Sequence, residues 1–350
     1  MTVTALGVPT ISRPAAGMPT TGPLADTFGR TATDLRVSLT DRCNLRCAYC
    51  MPAEGLDWLP GEQLLSADEL IRLLRIAVTR LGITNVRFTG GEPLVARHLE
   101  DVVTATGALR PRPEMAMTTN GIGLAKRARA LKAAGLDRVN VSLDTVDAAH
   151  FARITRRDRL GDVLAGLAAV KAAGLTPVKV NAVLDPDTGL DDAVSLLRYC
   201  LDHEYQLRII EQMPLDAEHQ WQRGRSLEAA DILAALRAHF TLVPDSTPRG
   251  SAPAQLWRVD GGSAKVGVIA SVSEAFCAAC DRTRLTADGQ VRNCLFAREE
   301  SDLRRLLRGG ADDDAIEQAW RAAMWTKAAG HGINDPGFEQ PSRPMSAIGG

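Results

Sequence analysis

The chain of 350 residues is 45% hydrophobic and 24% charged, which is typical of a folded globular protein and excludes a disordered or fibrous chain. Its 41 Lys and Arg residues nearly balance its 42 Asp and Glu residues, so the net charge of −1 excludes a general attraction to nucleic acid or to an anionic membrane. Neither a basic and apolar leader nor an apolar run of bilayer-spanning length is seen. We therefore expect a cytoplasmic protein without a membrane partner.

Residues 1–30 are rich in Thr, Pro, Gly and Ala without hydrophobic periodicity, which predicts a mobile N-terminal arm. From residue 31 to residue 225, short alternating segments take turns with amphipathic segments of helical length. Six such units predict a parallel sheet with helices outside it. The predicted strands are 34–40, 85–91, 114–120, 138–144, 177–184 and 206–213.

The alternation within these strands predicts where each face points. In the first strand, Leu35 and Val37 share one face, and Arg36 and Ser38 share the other. Because the apolar face must meet the helices, the polar face points inward. This pattern favours an α/β fold, an incomplete six-stranded (βα)6 barrel around a large polar ligand, closed by a smaller C-terminal α+β cap over residues 226–350. An open sheet with one solvated face is the alternative, although parallel sheets seldom leave a face bare.

The chain has seven cysteines, and this odd number argues against a secreted disulfide framework. Six of the seven form two triplets. The seventh, Cys200, lies in a helical pattern and is interpreted as a buried small hydrophobe.

The first triplet, Cys43, Cys47 and Cys50, has the spacing C-x3-C-x2-C directly after the first predicted strand. A structural zinc site would need a fourth Cys or His nearby, and the segment 43–58 offers none. A 4Fe–4S cluster held by three cysteines keeps one iron free for a ligand. With Tyr49 before the last cysteine, the motif resembles that of the radical S-adenosylmethionine (SAM) superfamily, whose free iron binds SAM.

The segment Thr89–Pro93, with the sequence TGGEP, follows the second predicted strand. Its glycines allow the backbone to approach a ligand, and we expect them to offer free N–H groups to the amino-acid end of SAM.

The second triplet, Cys277, Cys280 and Cys294, has the spacing C-x2-C-x13-C. A zinc knuckle is the alternative, but here too the segment lacks a fourth Cys or a nearby His. Arg282 and Arg284 follow Cys280 closely and provide cationic groups suited to phosphate.

With both triplets present, residues 26–350 resemble the GTP 3′,8-cyclases of molybdenum cofactor biosynthesis. The resemblance implies a lyase with two 4Fe–4S clusters. Reductive cleavage of SAM at the first cluster gives a 5′-deoxyadenosyl radical, which takes hydrogen from ribose carbon 3′ of GTP. The ribose radical then attacks carbon 8, forming (8S)-3′,8-cyclo-7,8-dihydroguanosine 5′-triphosphate. The second cluster binds the guanine ring.

The resemblance also implies the binding residues. For SAM they are Tyr49, Gly91, Ser142 and Met213, and for GTP they are Arg36, Arg87, Thr118, Lys179, Arg282, Thr283 and Arg284. The Gly349–Gly350 tail is expected to reach into the active site. Independently, inward-facing cations on the strands require an anion, because unpaired buried charges are costly. Internal salt bridges with Asp144 or Glu211 are the alternative.

Two other functions remain as alternatives. One is a radical SAM enzyme with an auxiliary cluster that acts on another substrate, such as a peptide. The other is a non-enzymatic zinc module. The cyclase interpretation adds an external one-electron donor and, as the next enzyme, cyclic pyranopterin monophosphate synthase. No nucleic-acid partner is expected, and a homodimer is left open.

Overall fold

The computed structural model describes residues 16–349, and the first of these form a short N-terminal hairpin on the body of the protein. Strands β1 (Leu24–Ala25) and β2 (Thr31–Ala32) pair antiparallel. Leu24 is fully buried, and the guanidinium of Arg321 donates to the Gly22 carbonyl at 2.7 Å. Within the predicted arm, Leu24 thus packs against the body of the protein, and the mobility of the arm stays a prediction. Residues 1–15 of that arm lie outside the described residues.

Six parallel strands follow in sequence order, each next to its predecessor in the sheet. They are β3 (Asp34–Ser38), β4 (Asn85–Thr89), β5 (Glu114–Thr119), β6 (Arg138–Ser142), β7 (Lys179–Val183) and β8 (Gln206–Ile210). The helices between them are α1 (Ala67–Arg80), α2 (Leu99–Gly107), α3 (Leu124–Ala133), α4 (Ala148–Thr155), α5 (Leu160–Ala172) and α6 (Gly189–Asp202). The prediction of an α/β fold with a mostly parallel sheet is confirmed.

Helix α1 shows how the local sequence sets these elements. The Ser66 hydroxyl accepts from the Glu69 N–H at 3.2 Å, and the Glu69 carboxylate accepts from the Ser66 N–H at 2.8 Å. This capping box satisfies two N–H groups that the first turn would leave unpaired. Leu70, Leu73 and Leu74 then lie on one face at helical spacing and are buried against the sheet.

The C-terminal part of the chain extends the same sheet at both edges. Its elements are α7 (Ala229–Arg237), β9 (Leu242–Pro244), β10 (Gln255–Val259), β11 (Lys265–Ile269), β12 (Arg282–Leu285), β13 (Gln290–Arg292), β14 (Ser301–Asp302), α8 (Leu303–Arg308), α9 (Asp313–Trp325) and α10 (Met345–Ile348). The strand order is β14-β13-β12-β3-β4-β5-β6-β7-β8-β11-β10-β9.

The strands of the expected C-terminal cap thus belong to the central sheet and extend it at both edges. Strand β12 pairs parallel with β3, and β11 pairs parallel with β8. The open edges of β3 and β8 present unpaired N–H and C=O groups, and these pairings satisfy them. Because both partners lie far away in sequence, alternation within each strand does not reveal the pairing.

The core lies between the apolar faces of the strands and the helices. Leu35, Val37 and Phe88 are fully buried there, as the alternation predicts. Cys200 is also fully buried on α6, which agrees with its interpretation as a small hydrophobe. None of the described helices is both long and apolar enough to cross a membrane.

The packing of the N-terminal hairpin can be tested with Leu24→Ala. Removing a fully buried leucine side chain leaves a cavity, so we expect the free energy of unfolding to fall by about 2–5 kcal/mol. Urea unfolding followed by circular dichroism measures this change. The control Val243→Ala removes a side chain that is 41% exposed and should change stability by less than about 0.5 kcal/mol. Equal stability of Leu24→Ala and the control would contradict the packed hairpin.

Candidate active site

A cavity of about 360 Å³ is lined by both cysteine triplets and by the polar faces of the central strands. Side chains from β3 at one side and β8 at the other meet on it, so the sheet is curved around this space. The predicted residues on its wall are Arg36, Cys43, Cys47, Tyr49, Cys50, Arg87, Gly91, Thr118, Ser142, Met213, Cys277, Cys280, Arg282, Arg284 and Cys294.

The two triplets lie at opposite ends of the strands. Cys43, Cys47 and Cys50 follow the carboxyl end of β3, whereas Cys280 precedes the amino end of β12. Because β3 and β12 run parallel, with Arg36 level with Arg284, these two arginines lie between the triplets. The cavity thus has three cysteine thiols at each end and guanidinium groups in the middle.

The first triplet is a tight loop around buried sulfurs. The Cys50 N–H donates to the Cys47 carbonyl at 2.9 Å, and the Asn120 amide donates to the Cys43 sulfur at 3.8 Å. Burial, together with the neighbouring thiols, raises the pKa of Cys50 to about 12. Burial and the nearby carboxylate of Asp144 raise the pKa of Cys47 as well. Thiols that resist ionisation in the free protein need a positively charged partner to become thiolates, and iron supplies it.

Tyr49 is fixed by a carboxylate that the sequence analysis left without a role. Its hydroxyl donates to Asp144 Oδ2 at 2.8 Å, while Asp144 Oδ1 accepts from the Val183 N–H at 2.9 Å. Burial raises the pKa of Asp144 to about 6. Asp144 therefore positions the tyrosine next to Cys50.

The TGGEP segment differs from expectation in one contact. The Gly91 N–H is not free: it donates to the Thr40 carbonyl at 2.7 Å, and the Glu92 N–H donates to the Arg42 carbonyl at 2.8 Å. These bonds hold the segment against the cysteine loop. A Cβ on Gly91 would lie 2.4 Å from the carbonyl oxygens of Asp41 and Arg42, so the close approach requires glycine.

The thiols of Cys277 and Cys280 in the second triplet have pKa values that shift in opposite directions. Burial raises the pKa of Cys277. Burial also opposes ionisation of Cys280, but the positive charges of Lys327 and Arg282 outweigh it and lower the pKa of that thiol. The Lys327 ammonium lies 3.4 Å and the Arg282 guanidinium 3.7 Å from the Cys280 sulfur.

The arginines on the cavity wall have few negatively charged groups near them. Arg36 and Arg87 lie 3.9 and 4.0 Å from the carboxylate of Asp34, a partner that sequence reasoning missed. Burial lowers the pKa of Arg87 to about 9, and it also lowers the pKa of Arg36 and of Arg284.

The alternative of internal salt bridges with Asp144 or Glu211 is not what the structure shows. Asp144 accepts from Tyr49, as described. The Glu211 carboxylate instead accepts from the backbone N–H groups of Ala229 and Val272, both at 2.8 Å.

Two predicted substrate residues do not line the cavity. The Thr283 hydroxyl accepts from the indole N–H of Trp320 at 3.3 Å, so this side chain lies on the covered side of β12 and faces away from the cavity. Lys179 lies at the amino end of β7. Burial, followed by repulsion from Arg208 and Arg138, lowers the pKa of Lys179 to about 7.

Arg208 on β8 was missed and lines the cavity. Burial and the neighbouring arginines lower its pKa to about 10. The alternation of Leu207, Arg208 and Ile209 could have found it, because it puts the arginine on the polar face.

The tail enters this region. The guanidinium of Arg284 donates to the Gly349 carbonyl, and the Gly349 N–H donates to the Met345 carbonyl at 3.0 Å. Gly349 has a φ of 88°, and a Cβ there would lie 2.5 Å from Thr89 Oγ1. Gly350, which shares the predicted role, lies outside the described residues.

The donor set suits iron–sulfur clusters. Each triplet offers three cysteine sulfurs facing a common cavity, and cysteine thiolates are the usual ligands of such clusters. Among residues 16–349, no three His, Cys, Asp or Glu side chains are arranged as they would be around a single metal ion.

Comparison with known proteins agrees with this chemistry. Residues 37–200 match the family model of the Radical SAM superfamily, and residues 205–333 match that of Molybdenum Cofactor Synthesis C. A GTP 3′,8-cyclase of Mycobacterium sp. (strain KMS) is 96% identical and covers 100% of both chains. The chain belongs to the GTP 3′,8-cyclase family. The predicted resemblance is confirmed: this is a radical SAM enzyme of molybdenum cofactor biosynthesis, with SAM and an iron–sulfur cluster as cofactors.

Other relatives extend the comparison. The cyclase of Mycolicibacterium smegmatis is 74% identical, and GTP 3′,8-cyclase 2 of Mycobacterium tuberculosis (strain H37Rv) is 72% identical, each covering 100% of both chains. Streptococcus suis SuiB bound to S-adenosylmethionine has a TM-score of 0.58 at 13% identity, covering 87% of this chain and 66% of that chain. At this identity the likeness shows the fold alone.

The contact between the TGGEP segment and the cysteine loop can be tested with Gly91→Ala. The new methyl group overlaps two carbonyl oxygens, and relieving that overlap must move the loop. Overpacking of this kind costs about 1–3 kcal/mol, so we expect the Kd for SAM to rise roughly 10- to 100-fold. Anaerobic equilibrium dialysis measures it. The control Gly61→Ala meets no heavy atom within 4 Å and should bind SAM normally. Wild-type affinity in Gly91→Ala would contradict this role.

Proposed function

We propose that each cysteine triplet holds one 4Fe–4S cluster, with SAM at the first and GTP between the two. Like its family, the enzyme is a lyase that converts GTP to the 3′,8-cyclised nucleotide in the first step of molybdenum cofactor biosynthesis. The observation that supports the proposed arrangement best is that both triplets line one cavity whose middle is rich in arginine. When bound, the clusters supply one-electron reduction and a free iron for a ligand.

At the SAM end, the proposal assigns contacts to Tyr49, Gly91, Ser142 and Met213. All four line the cavity. Because the Gly91 N–H is already bonded to Thr40, Gly91 contributes close backbone approach rather than a free donor. The hydrogen bond from Tyr49 to Asp144 holds the aromatic ring in place before any ligand arrives.

At the GTP end, the proposal assigns the phosphates to the guanidinium groups. The Nε atoms of Arg36, Arg87 and Arg282 are buried without a hydrogen-bond partner. Such donors are costly unless a ligand accepts from them, and a triphosphate offers many anionic oxygens. Thr118 lies on the same wall, while Thr283 contributes through its backbone. Lys179 adds a positive charge at the amino ends of the strands.

The domain arrangement, the role of the tail and the partners are also proposals. The curved sheet is a partial barrel, with domain boundaries at residues 30 and 225, and the C-terminal part keeps water from the reacting radical. The Gly349–Gly350 tail completes the pocket, and Arg284 holds the Gly349 carbonyl. An external one-electron donor, a homodimer and transfer of product to cyclic pyranopterin monophosphate synthase stay predictions.

A different substrate for the same radical chemistry is the competing function. It is tested by anaerobic turnover with SAM, dithionite and each nucleoside triphosphate in turn, followed by mass spectrometry. With GTP, we expect 5′-deoxyadenosine together with a product isomeric with GTP. The other nucleoside triphosphates should give no such isomer. The variant with Ala at Cys277, Cys280 and Cys294 should still make 5′-deoxyadenosine but no cyclised nucleotide. Wild-type turnover without any GTP-derived isomer, or full cyclisation by the triple variant, would contradict the proposal.

The role of Lys179 predicts a pH dependence. With a pKa of about 7, the free side chain is charged below that pH and neutral above it, and only the charged form attracts phosphate. Because the arginines bind phosphate whether or not Lys179 is charged, the Kd for GTP should rise with pH by at most about tenfold from pH 6 to pH 8. Calorimetry at both values measures it. The arginine of Lys179→Arg keeps its charge at pH 8, so the Kd of this variant should lose most of the pH dependence. The remaining dependence comes from protonation of the nucleotide itself. Identical pH profiles for the two proteins would contradict the assignment.

A further inference from the structure

Lys327, just beyond α9, is a buried lysine to which the proposed function gives no role. Its side chain is 3% exposed. The ammonium donates to the Arg282 carbonyl at 2.9 Å, to the Cys280 carbonyl at 3.3 Å and to the Cys280 sulfur at 3.4 Å. All three of its hydrogens are therefore directed at the segment that joins the second triplet to β12.

The charge of Lys327 is compensated in an unusual way. Burying an ammonium group is costly unless a negative group lies close to it. Within residues 16–349, the hydrogen-bond partners of its ammonium are two backbone carbonyls and one sulfur, and none is a carboxylate. The sulfur of Cys280 is thus the atom beside it that can carry negative charge, and in the proposed second cluster it would do so as a ligand.

We propose that Lys327 is a positioning residue for the second cluster: it holds the Cys280 sulfur in place and raises the reduction potential of the cluster bound there. This inference rests on the proposed presence of that cluster. Hydrogen bonds to ligand sulfurs and nearby charge are among the factors that set the potential of iron–sulfur clusters. A positive charge at 3.4 Å favours the reduced state, which is more negative by one charge.

The same contacts have a purely structural interpretation, in which Lys327 only ties two backbone carbonyls to the end of α9. The potential separates the two, because a backbone tether has no direct effect on it. The first cluster serves as an internal reference, since Lys327 contacts the second triplet and not the first.

The experiment is an anaerobic redox titration of the whole enzyme, followed by electron paramagnetic resonance, for wild type, Lys327→Met, Lys327→Arg and the control Lys132→Met. Lys132 is exposed on α3. In Lys327→Met, we expect the ratio of reduced to oxidised second cluster at fixed potential to fall about tenfold, a shift of about 59 mV to lower potential for one electron. The first cluster should not shift. Lys327→Arg and Lys132→Met should titrate like wild type.

Measuring the iron content of each variant shows whether its second cluster has assembled. Loss of the second cluster in Lys327→Met with retention in Lys327→Arg would support positioning by charge. Equal loss in both variants, or an unshifted second cluster in a fully loaded Lys327→Met, would overturn the inference. Wild-type enzyme with only about four irons per chain would instead overturn the proposed second cluster itself.

Discussion

The parallel pairing of β12 with β3 is the contact on which the active site depends. It sets Arg284 level with Arg36 and Arg282 level with Asp34. Because Cys280 precedes β12 and Cys43 follows β3, this one register places the second triplet at the amino ends of the strands and the first at their carboxyl ends. A shift of one residue would turn Arg284 to the covered side and Thr283 to the cavity.

The same register brings like charges together, and this explains why the site needs its ligand. Arg36, Arg87 and Arg284 face the cavity, while Asp34 is the carboxylate beside the first two. Burial already pushes the pKa values of these arginines down, so the free site is electrostatically unfavourable. The hydrophobic faces on the other side of the strands, with Leu35 and Phe88 fully buried, stabilise a sheet that can tolerate this cost.

Short sequence patterns predict much of this arrangement. Alternation of polar and apolar residues predicts which side of each strand lines the cavity, and it places Arg36 and Ser142 correctly. It would have placed Arg208 as well. The cysteine spacings predict the two triplets because Cys43, Cys47 and Cys50 share one loop, whereas Cys294 returns to Cys277 and Cys280 across the short hairpin of β12 and β13. The capping box of α1 is equally local.

What local patterns do not reveal is contact between distant segments. The joining of β11 and β12 to the central strands, the bond from Gly91 to Thr40, and Lys327 beside Cys280 each depend on the folded chain. Asp34 was missed for a related reason, since a single carboxylate at a strand end carries no signal until the arginines around it are known. The burial of Leu24 within the predicted arm is another such case, because composition alone does not show it.

We propose that GTP lies between the triplets with its guanine at the second cluster. The most direct test uses the variant with Ala at Cys43, Cys47 and Cys50, which leaves one cluster, and GTP carrying isotopically labelled guanine nitrogen. The electron paramagnetic resonance signal of the reduced second cluster should show a hyperfine coupling that changes with the label, and ATP should give none. Bound GTP without any label-dependent coupling would contradict the account.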